Sequence, residues 1–274
     1  MKIGIPLEIK PREQRVALLP AAVAELALMG HEVFVQSGAG RGSGYEDAAY
    51  TAAGASVVSD AESLYGEAQL VVKVKEPMPA EYPLLREDHL LFSYLHLAAY
   101  PELTAQLQQI GLTALAFETL LVDNNLPLLA PMSDVAGRLA VQIGTTLLHA
   151  TQGGKGLLLG GLPAAERGSV VIIGAGNAGS NAAIVAQSIG ANVTVFDRKR
   201  EKMLRVRQLG PNVSGLYPYP DAVAAAVANA DLLIGAVLIP GARAPHVVSR
   251  AMVASMQPGS VIVDIAVDQG GCVE

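Results

Sequence analysis

The stretch from Ser169 to Asp197, SVVIIGAGNAGSNAAIVAQSIGANVTVFD, leaves this chain few folds to choose from. Val170–Ile173 is a short β-branched run, too brief for a helix, and reads as a buried strand. It enters three closely spaced glycines, Gly174, Gly176 and Gly179, and then a helix-like segment closed by Gly190. A second strand-like run, Asn192–Asp197, follows directly. Strand, helix and strand at this spacing form a right-handed βαβ unit with parallel strands. A parallel sheet has to be covered on both faces, so the remainder of the chain must supply more units of the same kind.

It does so nearly throughout. Further strand candidates are Lys2–Pro6, Glu32–Gln36, Leu70–Lys75, Leu90–His96, Leu112–Glu118, Leu232–Val237 and Ser260–Ala266. Between them lie helix-like segments such as PAAVAELALMG and PELTAQLQQIG, each closed by glycine. The proline-containing stretch Leu126–Met132 marks a boundary. The fold class expected is therefore α/β: two Rossmann-like doubly wound domains with mostly parallel sheets, 1–128 and 129–274, separated by an active-site cleft. SDVAGRLAVQIGTTLLHAT reads as one long helix, with Ser133 as its N-cap and Val135, Leu139, Ile143 and Leu147 at i+4 intervals. QGGKGLLLGGLP reads as a glycine-bounded hairpin.

Composition excludes several functions. The 274 residues suffice for two domains with buried cores. Only 16% are charged, below the usual quarter or so, which favours subunit contacts. A net charge of −6, with Arg198-Lys199-Arg200 the only dense basic cluster, argues against nucleic acid. The N-terminus has no continuous apolar run of the signal-peptide kind. Gly168–Phe196 carries no charge, but its glycines with Asn177, Asn181, Gln187 and Asn192 make a poor lipid-facing surface, so no membrane span is expected. The single cysteine, Cys272, excludes an internal disulfide and fits a reducing cytoplasm.

The glycine turn has a chemical reading. Gly174 would make the tight turn, Gly176 would let backbone approach a pyrophosphate, and Gly179 would allow close helix–strand packing. The helix N-terminus behind them offers N–H groups to an anion. Asp197 stands at the end of the second strand, where a carboxylate would accept hydrogen bonds from ribose hydroxyls. Dinucleotide binding follows, with NAD favoured because an acid repels a 2′-phosphate; Arg198 and Arg200 could offset that repulsion.

In the first domain Lys75 and His96 end apolar strands, and Arg15 follows the first strand after a loop. Ligands collect at the carboxyl ends of parallel strands, so the three could share one cleft. Singly, Lys75 reads equally as a solvated strand end, His96 as a core histidine and Arg15 as a surface arginine. Asp268 repeats the strand-end position in the second domain, just past Ser260–Ala266.

GIPLEIKPREQRVALLP, VVKVKEP, FSYLHLAA, APMSDVAGRLAVQIG, GGKGLLLGG, the GAGNAG turn, LIGAVLIPGARAP and VIVDIAVDQGGC together resemble the alanine dehydrogenases, relatives of the NAD-binding subunit of proton-translocating transhydrogenase. The resemblance runs from Met1 to Glu274. It implies NAD-linked, reversible oxidative deamination of L-alanine to pyruvate and ammonium in a homo-oligomer, a hexamer. On matching motifs it makes Arg15 and Lys75 substrate-binding, and His96 and Asp268 the acid/base pair. It adds Ser133, Asn177, Ala178, Asp197, Lys202, Val237, Leu238, Ile265, Ala266, Val267 and Asp268 as cofactor contacts. The chain departs from the family's pattern at Leu7, where lysine is usual, at Leu19, where threonine is usual, and at Pro218 and Tyr219, where a serine pair normally meets the adenosine end of the cofactor. Family members run longer at the C-terminal side, and a strand at Ser260–Ala266 needs cover on both faces, so further residues completing both domains are expected. Two other readings are a transhydrogenase-like NAD(H)-binding subunit and a truncated, non-catalytic dinucleotide-binding module.

Overall fold

The computed structural model describes residues 1–123 and 125–274, with Asp268 described by its backbone alone. The chain divides into two compact units, Met1–Leu126 and Pro127–Glu274. Each is built on one all-parallel sheet with helices on both faces.

The first unit contains β1 (Lys2–Ile5), α1 (Pro20–Leu28), β2 (Glu32–Gln36), α2 (Asp47–Ala52), β3 (Ser56–Val58), α3 (Ala61–Glu67), β4 (Leu70–Val72), β5 (Leu90–Ser93), α4 (Pro101–Ile110) and β6 (Thr113–Ala116). Its strands lie in the order β3-β2-β1-β4-β5-β6, with Ile5 beside Val35 and Gly4 beside Val71. Alternation puts Ile5, Val23, Val35 and Tyr50 in one core and Leu64, Val71, Leu91 and Leu107 in another, on the opposite face. Asp60 caps α3 by accepting the Ser63 N–H at 2.8 Å. Gly111, at φ +83°, ends α4 in the left-handed conformation that glycine adopts without strain.

The second unit contains α5 (Ala130–Leu147), β7 (Ser169–Ile173), α6 (Asn177–Ile189), β8 (Asn192–Phe196), α7 (Arg200–Arg207), β9 (Val213–Leu216), α8 (Pro220–Ala228), β10 (Leu232–Gly235), α9 (Arg250–Ala254) and β11 (Val261–Asp264). Its order, β11-β10-β7-β8-β9, repeats the winding of the first unit with one strand fewer. In both, the chain reverses direction across the sheet beside its first strand: between β1 and β4, and between β7 and β10. Doubly wound sheets bind ligands at that switch point.

The expected α/β class with parallel sheets is what the chain forms; four local expectations are corrected. The strands are shorter than their apolar runs, so Lys75, His96, Asp197 and Val237 stand in loops past the strand ends. β3 and β9 are edge strands of three and four residues, too short to announce themselves. Ser133 is not an N-cap: α5 begins at Ala130, with Pro131 in its first turn, and the Ser133 N–H already donates to the Leu129 carbonyl at 3.0 Å. Residues 152–163 form turns rather than a hairpin, with one isolated antiparallel bridge from Leu162 to Ala165.

α5 also turns its smaller residues inward. Gly137, Ala140, Val141 and Gly144 are buried, while Val135, Leu139, Ile143 and Leu147 are 40–50% exposed. Close packing explains the choice. A Cβ on Gly137 would stand 2.1 Å from the Ala178 carbonyl oxygen, and one on Gly144 would stand 2.5 Å from Leu232. Only this face lets α5 lie directly on α6 and β10. Among the described residues no helix is long and apolar enough to cross a membrane.

Candidate functional site

In the second unit β7 runs into α6 with only Gly174, Ala175 and Gly176 between them. The three glycines have different reasons to be glycine. Gly174 has φ +104°, and a Cβ there would meet the Ala236 carbonyl oxygen at 2.5 Å. A Cβ on Gly179 would lie 1.8 Å from the Gly174 carbonyl oxygen, so helix and turn touch only because the residue is bare. Gly176 has an ordinary extended conformation, φ −75° and ψ −166°, and nothing of the protein lies within 4 Å of the Cβ it lacks. Packing does not account for Gly176. The space above it opens in front of the first turn of α6, whose leading N–H groups have no intrahelical acceptor. That is a cradle for an anionic group.

Asp197, one residue past β8, leans over this turn. Its Oδ2 accepts the Ala175 N–H at 2.8 Å and its Oδ1 accepts the Lys199 N–H at 2.8 Å, which fixes the carboxylate and leaves each oxygen a second lone pair. Lys202 Nζ stands 3.8 Å from Oδ2. Asn177 and Ala178 open α6, and the first turns of α5, which carry Ser133, are tied to it. Asn181 Nδ2 donates to Asp134 at 2.9 Å, and Arg138 Nε donates to Asn181 Oδ1 at 2.9 Å. Tyr219 lies at the tip of β9, its ring 4.8 Å from that of Tyr217 and both exposed. Val237 and Leu238 follow β10. Ile265, Ala266 and Val267 follow β11, where Asp264 gathers the loop: its carboxylate accepts the N–H groups of Ala266, Cys272 and Val273 at 2.9, 2.8 and 3.1 Å. Burial pushes the Cys272 thiol beside it up to about 12. Asp268 falls in the single turn Val267–Gln269 at the crest of that loop, and its side chain lies outside the described residues.

The first unit presents charged side chains instead of bare backbone. Glu13 grips Arg15 with a bidentate fork, accepting from Nε at 2.8 Å and from Nη2 at 2.6 Å. The guanidinium, with a smaller contribution from the Lys75 charge, holds the Glu13 carboxyl below its ordinary range. Arg15 also lies within electrostatic reach of Tyr94, a buried phenol whose ring stacks on that of His96 at 6.1 Å and 11°. Arg15, Lys75 and His96 are thus brought to one end of one sheet.

Beneath them lies a buried polar cluster that no short motif announces. Lys73, 1% exposed, donates to Glu81 Oε1 and Oε2 at 2.7 and 2.8 Å and stands 3.7 Å from Glu8 Oε2. The Tyr65 hydroxyl and the Met78 N–H donate to the same Glu81 carboxylate at 2.8 and 2.7 Å. Glu8 accepts the N–H groups of Val74 and Lys75 at 2.5 and 3.4 Å, and burial pushes its carboxyl above the usual carboxylate range against the pull of Lys73. Glu118, 4% exposed past β6, accepts from His96 and Leu95 N–H at 2.7 and 3.3 Å. Sequence reasoning passed over Glu8, Lys73, Glu81, Glu118 and Asp264. The available signal was an acid or lysine next to an apolar run, which elsewhere marks only a strand's solvated end.

Family models for the alanine dehydrogenase/PNT N-terminal domain and C-terminal domain match residues 4–136 and 140–274. The chain belongs to the alanine dehydrogenase/PNT family. Among this family's members it is 51% identical over 275 residues to an alanine dehydrogenase of Bacillus subtilis, covering 100% of this chain and 72% of that protein. It is 52% identical over 279 residues to the alanine dehydrogenase of Mycobacterium tuberculosis, covering 100% and 74%. A solved L-alanine dehydrogenase superposes with a TM-score of 0.89 at 52% identity, covering 100% of this chain and 76% of that one. A transhydrogenase from Sinorhizobium meliloti superposes at 0.81 with 30% identity, covering 100% and 81%.

Proposed function

We propose that the chain is an NAD-dependent alanine dehydrogenase that interconverts L-alanine with pyruvate and ammonium. The observation that carries the reading is the likeness to alanine dehydrogenases, about half of all positions over the full length of this chain. The transhydrogenase likeness, at 30%, supports only the shared frame.

The open space over Gly176 and the start of α6 suits a pyrophosphate, and Asp197, locked by two backbone N–H groups, suits a ribose diol. Its negative charge favours NAD over NADP. Bound NAD supplies the hydride acceptor, and the protein supplies position and charge. Arg15, oriented by Glu13, and Lys75, carried on a backbone held by Glu8, bind the carboxylate and the carbonyl oxygen of pyruvate. His96 gives and takes the protons that carbinolamine formation and collapse require, and Asp268 is the second acid/base, acting on water or ammonia. The remaining cofactor contacts are Ser133, Asn177, Ala178, Lys202, Val237, Leu238 and the Ile265–Asp268 stretch. Substrate binding is the work of the first domain, 1–128, and cofactor binding that of the second, 129–274.

A cytoplasmic homohexamer completes the proposal. The exposed apolar stripe of Val135, Leu139, Ile143 and Leu147 on α5 supports self-association, and Cys272, the single cysteine, suits a reducing compartment.

The test is an assay of NADH with pyruvate, with and without ammonium, followed at the reduced-nicotinamide absorbance. Ammonium-dependent oxidation is expected, faster with NADH than with NADPH, and abolished or nearly so in Asp268→Asn. Oxidation that ignores ammonium, or none from a chain that binds NADH, rejects the reading.

A further inference from the structure

Three described non-glycine residues of the first unit, Arg12, His96 and Asp123, have a positive φ, and His96 alone of them is a candidate site residue. His96 has φ +49°, in the left-handed region that non-glycine residues rarely occupy. It lies in the loop past β5 and opens a turn closed by the Ala99 N–H on the His96 carbonyl at 2.8 Å. Its ring lies parallel to that of Tyr94, and its Nδ1 is buried with no hydrogen-bond partner among the described residues. Ring stacking alone does not hold a strained backbone, and neither does one turn hydrogen bond.

Glu118 does. Its carboxylate receives the His96 and Leu95 N–H groups together, Oε1 at 2.7 Å and Oε2 at 3.3 Å. These are two donors that the sheet cannot use once β5 has ended. The acid is itself locked. The neighbouring Phe117 ring packs edge-on to Phe92 at 4.3 Å and to Tyr94 at 5.1 Å, so the ring that stacks on His96 also braces the turn that carries Glu118. Charge-assisted bonds from a buried carboxylate to adjacent N–H groups are strong and directional. Strained backbone persists where its surroundings over-determine it, as they do here.

We infer that Glu118 is a positioning residue for the reaction: it touches no reacting atom and acts by holding the backbone of His96 in its left-handed conformation. The inference rests on the dehydrogenase reading for its kinetic arm and on geometry alone for its spectroscopic one.

Glu118→Gln keeps the length of the side chain but replaces one acceptor oxygen with an NH2 group facing N–H donors. It is expected to lower kcat for pyruvate reduction by about 100-fold, the loss that a misplacement of about 1 Å can bring, with KM for pyruvate and Kd for NADH near the parent values. Glu118→Asp, one methylene shorter with both acceptors kept, should fall between and serves where the glutamine variant folds poorly. A structural role alone would also lower kcat, so a double-mutant cycle decides: in a His96→Gln background, Glu118→Gln should cost almost nothing further. Losses that multiply overturn the inference. Independently, in protein labelled with ¹³C-histidine, the imidazole signal missing from His96→Gln should shift in Glu118→Gln while those of His31, His149 and His246 stay put. An unmoved His96 signal overturns the inference as well. A parent protein without ammonium-dependent NADH oxidation would instead sink the dehydrogenase reading and leave the spectroscopic arm to judge Glu118.

Discussion

The two units share one winding and use it in opposite ways. In the second, β7 passes into α6 within three residues, and the first crossover offers bare backbone: an open space over Gly176, a helix N-terminus and one acid fixed by N–H groups. In the first, β1 and α1 are separated by residues 6–19, and that long loop carries Glu8, Lys10, Glu13 and Arg15 to the same end of the sheet. One tip is made of dipoles and space; the other is made of full charges. On the proposed function, the difference follows from what each would have to hold. A pyrophosphate is met by backbone amides at close approach, which demands glycine. A small keto acid offers too little surface for that and must be gripped by side chains, which then have to be kept from wandering. Hence the supporting acids of the first unit, Glu8 under Lys75, Glu13 against Arg15 and Glu118 under His96.

If charges hold the first tip together, removing a central one should damage it most. Lys73 is the only cation at hydrogen-bond distance from Glu81 among the described residues, and it lies beside Glu8, which burial already disfavours as an anion. Lys73→Met would leave two buried carboxylates facing each other, and breaking such a set costs about 3–5 kcal/mol. Urea unfolding of the variant should show a loss of that size. Adding Glu81→Gln should recover part of it, because the uncompensated charge and not the lost lysine is the cause. A single variant as stable as the parent would mean that the carboxylates are already neutral and the tip is not charge-built.

The second tip makes the complementary prediction. Gly179→Ala forces a Cβ against the Gly174 oxygen and should destabilise the unit, whatever the ligand. Gly176→Ala meets nothing in the protein and asks for no unusual backbone, so stability should stay within about 0.5 kcal/mol, as for a typical surface change. Its effect should fall on the ligand, with NADH affinity weakened about tenfold, equivalent to about 1.4 kcal/mol. NADH titration beside urea unfolding separates the two glycines. Equal affinity in Gly176→Ala would remove the pyrophosphate from this cradle.

The same contrast explains what the sequence disclosed. Glycine constraints are local, so GAGNAG between a strand and a helix could be read directly, and Asp197 followed from the end of the next strand. The charged tip was half legible. Arg15, Lys75 and His96 could be placed at strand ends, but VVKVKEP does not reveal that Lys73 is buried and Lys75 is not, because the strand stops at Val72 and its alternation with it. α5 shows the limit of periodicity. Two helical stripes run along it, and the bulky one draws the eye. The sheet took the small one, since Gly137 and Gly144 permit an approach that Leu139 and Ile143 would block.

The smallest expected effect concerns acid. His89, in the first unit, is fully buried. Its Nδ1 accepts the Arg86 N–H at 3.1 Å, and its Nε2 faces the Tyr65 carbonyl at 3.1 Å, which assigns the proton to Nε2 and the ring to the neutral form. Burial, helped by the Arg86 charge, holds the imidazole below its ordinary 6.5. The unfolded chain, with an ordinary histidine, therefore binds the proton more readily than the folded one. Its contribution to stability is whole above pH 6.5 and is lost as pH falls from there towards the depressed folded value. Both histidines of the second unit, His149 and His246, are exposed, and neither is packed in its core. Amide exchange between about pH 7 and about pH 5 should then show protection in the first unit weakening before the second. His89→Gln, which cannot ionise, should flatten that trend while lowering stability at neutral pH through the lost pair of hydrogen bonds. Equal acid sensitivity in both units would place the titrating group elsewhere.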